Sequence, residues 1–222
     1  MAQPIPADTV VLDIDGTLVD SNYFHTVAWV RAFQELGHDV PAWRIHRAIG
    51  MGGDRLVGAV AGDDVEREDG DAVRDAWESE YDAMLDQPAL LAGATGLLDA
   101  LRERGFTIVL ASSSIPRHAE RPLDLLGAEQ RADAWTTSED AEESKPDPEL
   151  VDTAIRKAGG GTAVLVGDSV WDVEAGNRAG IPTIGVLSGG TSRDELATAG
   201  AAVVVEDVAE LLARVDELLA RR

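Results

Sequence analysis

Two rhythms of apolar residues alternate along this chain. Nearly continuous apolar runs at 9–14, 106–111, 135–137, 163–166, 182–186 and 201–205 are bounded by glycine, proline and polar residues, and they predict short strands. Successive side chains of a strand point to opposite faces of a sheet, so runs without a polar partner face fit strands covered on both sides. Between them the spacing becomes helical. Leu150, Val151, Ala154, Ile155 and Ala158 share one stripe, and Val208, Leu211, Leu212, Val215 and Leu218 share another. Strand and helix in regular alternation predict an α/β fold on a parallel sheet, each helix covering a sheet face.

Residues 22–91 break the alternation. They contain no good strand but four helical patterns, one beginning with Phe24, Val27 and Ala28, then 42–49, 54–61 and 73–85. A structureless loop of about seventy residues does not suit a compact protein, so the segment is predicted to be a small helical domain inserted after the first strand. The acidic stretch Asp63, Asp64, Glu66, Glu68, Asp69 and Asp71 is expected to be a solvated turn, because it lacks the alternating ligand spacing of a calcium loop.

Composition narrows the chemistry. The 222 residues carry 19 Lys+Arg against 41 Asp+Glu, a net charge of −22, which opposes the phosphate neutralisation that nucleic-acid binding needs. There is no cysteine, so thiolate metal sites, cysteine nucleophiles and disulfides are excluded, and any metal must be held by oxygen or imidazole. No apolar run approaches the about 20 residues of a membrane span, and the first ten residues lack the basic start and apolar stretch of an export signal. The expectation is a cytoplasmic protein with no membrane partner, a monomer or weak dimer. Lys145 and Lys157 are the only lysines; with the acid excess this fits either a salt-adapted source or a genome biased toward arginine codons.

Four segments carry candidate chemistry. Residues 10–20 read V-V-L-D-I-D-G-T-L-V-D, a strand whose end presents Asp13 and Asp15 at i and i+2, on one side. Both carboxylates can project from the carboxyl end of the strand, where open α/β sheets bind ligands, although Asp-Gly is also ordinary turn chemistry. Residues 164–172 read V-L-V-G-D-S-V-W-D, and Asp168 ends a second apolar strand with Asp172 one helical turn on. Two strands delivering acids to one edge would suit Mg²⁺, a hard cation held by carboxylates, phosphate and water; Asp168 could equally cap a helix, a task Ser169 could share. In S-K-P-D-P-E-L, Pro146 favours extended backbone at Lys145 and Asp147-Pro148 starts a helix, so the lysine stands beside a helix N-terminus as a phosphate ligand or as an exposed loop residue. Ser112, Ser113 and Ser114 follow the strand F-T-I-V-L-A, able to cradle phosphate or simply to make a loop.

In this order D-I-D-G-T-L-V-D, the serine after the second core strand, the lysine of S-K-P-D-P and G-D-S-V-W-D resemble the four motifs of the haloacid dehalogenase-like superfamily, over essentially the whole chain. The nearest likeness is to its phosphoglycolate phosphatase-like and β-phosphoglucomutase-like members. The resemblance implies a Rossmann-like, doubly wound parallel sheet formed by 1–21 and 92–222, with 22–91 as an all-helical cap of the C1 type. It also implies an Mg²⁺-dependent phosphatase acting on a small phosphorylated metabolite. Asp13 matches the nucleophile that forms an aspartyl phosphate, and Asp15 the general acid that later acts as base. Asp13, the carbonyl of Asp15 and Asp168 match the metal ligands, with Asp172 among or beside them. Ser112, the amide of Ser113 and Lys145 match the groups that hold the phosphoryl oxygens, and Lys145 with the metal would offset the surrounding acid.

The resemblance also orders the alternatives. The family's dehalogenases lack the second aspartate, and its phosphonate-cleaving members need a cap lysine, whereas no lysine precedes Lys145. Phosphotransfer of the β-phosphoglucomutase kind remains the runner-up because His25 matches the cap-hinge histidine that partners the general acid there, although a packed helix histidine is equally compatible. Against it, mutases typically carry an acid in place of Gly167 and a cation in the cap loop, which here reads A-I-G-M-G-G-D-R-L over 48–56. Gly50, Met51, Gly52, Gly53 and Arg55 are substrate-contact candidates, or a turn between cap helices. His46 and Arg47 could meet substrate or solvent, and Trp171 is expected to pack. Segments 18–22 and 90–94 are the expected hinges of a closing lid. A metal-binding interaction domain that kept the fold without catalysis is the third possibility.

Overall fold

Residues 3–222 are described by the computed structural model. A short β1 (Ile5–Ala7) leads into β2 (Thr9–Asp13), all five residues of which are buried. A two-residue β3 (Val19–Asp20) passes to four helices, α1 (Asn22–Glu35), α2 (Ala42–His46), α3 (Gly53–Ala61) and α4 (Asp63–Asp82), and β4 (Ala89–Leu90) brings the chain back. Thereafter the order is α5 (Ala94–Glu103), β5 (Thr107–Ala111), α6 (Pro116–Leu126), α7 (Ala128–Arg131), β6 (Ala134–Thr136), α8 (Glu149–Lys157), β7 (Ala163–Gly167), α9 (Val170–Ala179) and β8 (Thr183–Val186). The chain ends with α10 (Arg193–Ala199), β9 (Val203–Val205), α11 (Val208–Ala213), α12 (Val215–Leu218) and β10 (Leu219–Arg221).

Six strands form one parallel sheet in the order β6-β5-β2-β7-β8-β9. Counted along the chain this is the Rossmann order 3-2-1-4-5-6, and it reverses between β2 and β7. The pleat divides the apolar runs between two cores. Val10, Leu12, Leu110 and Val166 pack with Leu97, Leu98, Leu101, Val208 and Leu211 of α5 and α11, while Val11, Val109 and Leu165 pack with Val151, Ala154 and Ala175 of α8 and α9. Helices on both faces explain why the strands lack a polar side, and the fold is doubly wound as expected.

The helices between β3 and β4 bury a third core of their own, built on Trp29, Phe33, Ile45, Leu56, Val57, Val73, Trp77 and Tyr81. Where this segment leaves and rejoins the sheet, β3 and β4 pair antiparallel, Val19 opposite Leu90, and the Leu91 amide donates to the Leu18 carbonyl at 2.9 Å.

Three readings of the pattern need correction. The acidic stretch 63–71 is not a turn but the first half of α4; the turn is Gly62 alone, at φ 94°. Asp63, Asp64 and Glu66 occupy the first helical turn, where the helix dipole favours negative charge, and Arg67 and Arg74 pair with Asp64 and Asp71 three residues away. The stripe 208–218 is divided at Arg214, which bonds Glu210 and Glu217, and the chain then leaves as β10 to pair parallel with β1. The pattern over 42–49 is helical only to His46. Among the described residues no helix is long and apolar enough to cross a membrane.

Candidate active site

Asp13 is the last residue of β2 and Asp168 follows the last residue of β7, so the two strands at the reversal deliver their acids side by side. Asp172 joins them from α9. Ser169 caps that helix with its Oγ accepting from the Asp172 amide at 3.2 Å, while Asp172 Oδ2 accepts from the Ser169 amide at 3.1 Å. This reciprocal cap leaves Asp172 Oδ1 toward Lys145, whose Nζ lies 2.7 Å away. Lys145 Nζ also donates to Asp13 Oδ1, and the lysine is fully buried rather than exposed on a loop. Asp147 Oδ1 accepts from the Glu149 amide at 3.0 Å and starts α8, which fixes the segment that carries Lys145.

One oxygen each from Asp13, Asp168 and Asp172 lies within 4.8 Å of the others. Three buried carboxylates face one lysine, and the imbalance appears in their acidity. Burial, with repulsion from Asp172 and Asp168, outweighs Lys145 and pushes the Asp13 carboxyl well above the usual range. Burial and Asp172 push Asp168 up to about 7. Burial alone would lower the Lys145 ammonium, but Asp13 and Asp172 hold it protonated. A surplus of hard oxygen donors with unbalanced negative charge fits a divalent cation, which would relieve the repulsion.

Asp168 is oriented by residues that the sequence pattern did not single out. Thr17 Oγ1 donates to its Oδ1 at 3.0 Å, and Asn22 Nδ2 to its Oδ2 at 2.8 Å. Gly189 closes on the same carboxylate so tightly that a Cβ there would stand 1.6 Å from Oδ2. The serine run also has a member not assigned beforehand: Ser114 Oγ donates to Asp15 Oδ2 at 3.2 Å, while its amide donates to Ser112 Oγ at 3.0 Å. Ser113 Oγ is buried without a partner.

Ile14 points into the core below the sheet, which places Asp13 and Asp15 together on the other side of the chain. The Asp15-Gly16 turn is real and serves the site. Gly16 has φ 80°, and a side chain there would collide with Asn22 and Asp168. Asp15 Oδ1 accepts from Ser21 Oγ at 2.6 Å and lies 3.3 Å from His25 Nε2. Burial would raise this carboxyl, but His25, Ser21 and Ser114 together hold it at about 2. His25 is buried and stacked on Tyr81 with centroids 3.9 Å apart, so it is both packed and in contact with Asp15.

Asp13 and Asp15 open into a pocket of about 50 Å³ under the loop from Ile49 to Gly53, with His25, Trp29 and Trp77 alongside. A Cβ on Gly50 would stand 2.6 Å from Ser169 Oγ, and one on Gly52 2.7 Å from Ser144 Cβ, so glycine lets the loop lie against the sheet edge. Met51 lines the pocket, but Arg55 does not; it pairs with Glu143 across the two layers. His46 and Arg47 also brace the helical segment on the core, through the Gly189 carbonyl at 3.0 Å and Glu195 respectively, and Trp171 Nε1 donates to the Arg47 carbonyl at 3.1 Å.

A Rossmann-type sheet with acids on both strands at its reversal, a buried lysine between them and a helical roof makes an arrangement suited to a divalent cation. The chain belongs to the haloacid dehalogenase-like hydrolase family, whose profile matches residues 7–180. Several of its relatives are named as phosphatases. It is 30% identical over 207 residues to the validoxylamine A 7′-phosphate phosphatase of Streptomyces hygroscopicus subsp. limoneus, covering 90% of this chain and 94% of that one. It is 27% identical over 186 residues to the phosphoglycolate phosphatase of Rhodobacter capsulatus, covering 80% and 83%. The crystal structure of a hydrolase from Pseudomonas syringae superposes with a TM-score of 0.90 at 31% identity, covering 96% of this chain and 99% of that one.

Proposed function

We propose that the chain is an Mg²⁺-dependent phosphatase that hydrolyses a small phosphomonoester in two steps through a phosphorylated Asp13. The convergence of Asp13, Asp168 and Asp172 within 4.8 Å, beside a buried lysine and under the loop of the helical segment, carries this reading. In it 1–21 and 92–222 form the catalytic core and 22–91 the cap. Lys145 engages Oδ1 of Asp13 and leaves Oδ2 to attack phosphorus, displacing the ester oxygen in line. Asp13, Asp168 and the Asp15 carbonyl, with Asp172 alongside, would hold Mg²⁺, which would supply the positive charge that lets an anionic ester approach a carboxylate. Ser112, the amide of Ser113 and Lys145 bind the remaining phosphoryl oxygens.

Asp15 moves the protons. Held at about 2, its carboxyl is ionised in the ligand-free chain and ready to take a proton from the hydrolytic water. To protonate the departing oxygen it must first take up a proton from solvent, and the arriving phosphoryl dianion raises its pKa in that direction. His25 and Ser21 hold the carboxylate in place.

The loop carrying Gly50, Met51, Gly52 and Gly53 faces the leaving group, while Arg55 anchors it through Glu143. The paired β3 and β4 suit a hinge at 18–22 and 90–94, opening to exchange product and closing to exclude water. A mutase-like acid in place of Gly167 has no room, since a Cβ there would stand 2.4 Å from Asp172 Cγ. Phosphorylated metabolites are retained in the cytoplasm by their charge, which is where such an enzyme would meet them. Inorganic phosphate release from p-nitrophenyl phosphate tests the reading: turnover with Mg²⁺ and none with excess chelator supports it, and equal turnover in both refutes it.

A further inference from the structure

A second cavity, of about 220 Å³, lies between the helical segment and the core and shares Gly52, Gly53, Trp77 and Ser113 with the pocket over Asp13. A group esterified to a phosphoryl at Asp13 has this adjoining space to extend into. Three of its lining residues carry a buried polar atom with nothing to bond. Trp77 is only 9% exposed and its Nε1 has no partner, and the hydroxyls of Ser113 and Ser144 are buried in the same condition. Buried donors without partners are costly, and hydroxyl groups on a ligand would satisfy them.

The charge around this cavity is one-sided. Asp54, Glu78, Glu142 and Glu143 line it against a single cation, Arg74. That guanidinium is already committed to Glu66 at 2.9 Å, Asp71 at 2.8 Å and the Gly53 carbonyl at 3.1 Å. Arg55 nearby is taken by Glu143, and Arg117 lies 3.4 Å from Glu78 but is shared with Asp82. Among the described residues no cation pairs with Glu142. Nothing in the cavity is left to balance a second negative charge, and like charges brought together in a confined site are strongly disfavoured.

We propose that the leaving group is a hydroxyl-rich sugar or polyol, uncharged or amine-bearing, and that the cavity rejects esters whose leaving group carries a carboxylate or a second phosphate. This rests on the phosphatase reading above and narrows it, setting the chain apart in substrate charge from its relative named for phosphoglycolate.

The test compares kcat/KM of the full chain with Mg²⁺ on p-nitrophenyl phosphate, glucosamine 6-phosphate, glucose 6-phosphate, phosphoglycolate and fructose 1,6-bisphosphate. The expected result is a preference of roughly tenfold or more for the two sugar monophosphates over the two esters with anionic leaving groups. Glu142→Lys, at an exposed position, is expected to narrow that ratio by at least about fivefold, and Trp77→Phe to lower sugar phosphate turnover relative to p-nitrophenyl phosphate. If p-nitrophenyl phosphate is hydrolysed while phosphoglycolate or the bisphosphate is the better natural ester, the phosphatase reading stands and the charge inference is overturned. If none of the five is hydrolysed, the phosphatase reading itself fails and takes the inference with it.

Discussion

Asn22, the first residue of α1, donates from Nδ2 to Oδ2 of Asp168 at 2.8 Å across 146 positions of sequence. The helical segment is thus tied at its root to one of the three clustered acids. A partner that orients a metal-ligating carboxylate typically changes affinity by about 10–100-fold when removed. Asn22→Ala should therefore weaken Mg²⁺ binding within that range while leaving the protein folded, as calorimetric titration will show; unaltered affinity would mean that Thr17 alone suffices to hold Asp168.

Among the described residues Lys145 is the only cation set among the three buried acids, so its loss should be felt most without metal. Breaking a buried pair by removing one partner costs about 3–5 kcal/mol. Lys145→Met is expected to lower stability by that order in chelator and by clearly less in saturating Mg²⁺, measured by urea denaturation. Equal losses in both conditions would show that the lysine does not share its carboxylates with a cation.

Acidity provides a separate test. Asp168 sits at about 7 in the metal-free chain against an ordinary 3.8, and Asp13 is raised as well. The native state then holds more protons than the unfolded state between these values, so the stability of the metal-free chain falls as pH rises through about 7. Metal binding must expel those protons. Calorimetry in buffers of different ionisation enthalpy should register proton release near pH 6.5, diminishing toward pH 8.5, and Mg²⁺ should stabilise the protein more at the higher pH.

Asp15 has the opposite shift and a different task. Its carboxylate bonds Ser21, His25 and Ser114 and is not one of the three clustered acids. Asp15→Asn is expected to slow turnover by about 10²–10⁴-fold while Mg²⁺ affinity changes little. A large loss of metal affinity would instead place this side chain among the ligands.

The sheet was legible because its strands are apolar on both faces, and two of its strand ends announce themselves by an aspartate after the last apolar residue, as at Val166-Gly167-Asp168. Thr17, Asn22 and Gly189 carried no comparable signal. Each acts through distance to Asp168, a contact between segments up to 151 positions apart, and a glycine required by the approach of a remote carboxylate reads locally as loop composition. The acidic run 63–71 misled for the converse reason: its composition suits a turn, but its place at a helix start is favoured by the dipole, and Val65, Val73 and Trp77 give α4 an apolar side. Ser114 was hidden among equivalent neighbours until the geometry of Asp15 selected it.

The nucleophile is where the proposal is most exposed, and phosphate release by Asp13→Asn with p-nitrophenyl phosphate in saturating Mg²⁺ probes it directly. The substitution keeps the shape of the side chain and removes a charge from a site that is already too negative, so the variant should melt cooperatively like the parent. A rate below about one-hundredth of the parent's is the expected result. A folded variant that retains a tenth or more of the parent rate would contradict the phosphoryl-Asp13 mechanism and move the chemistry to another group.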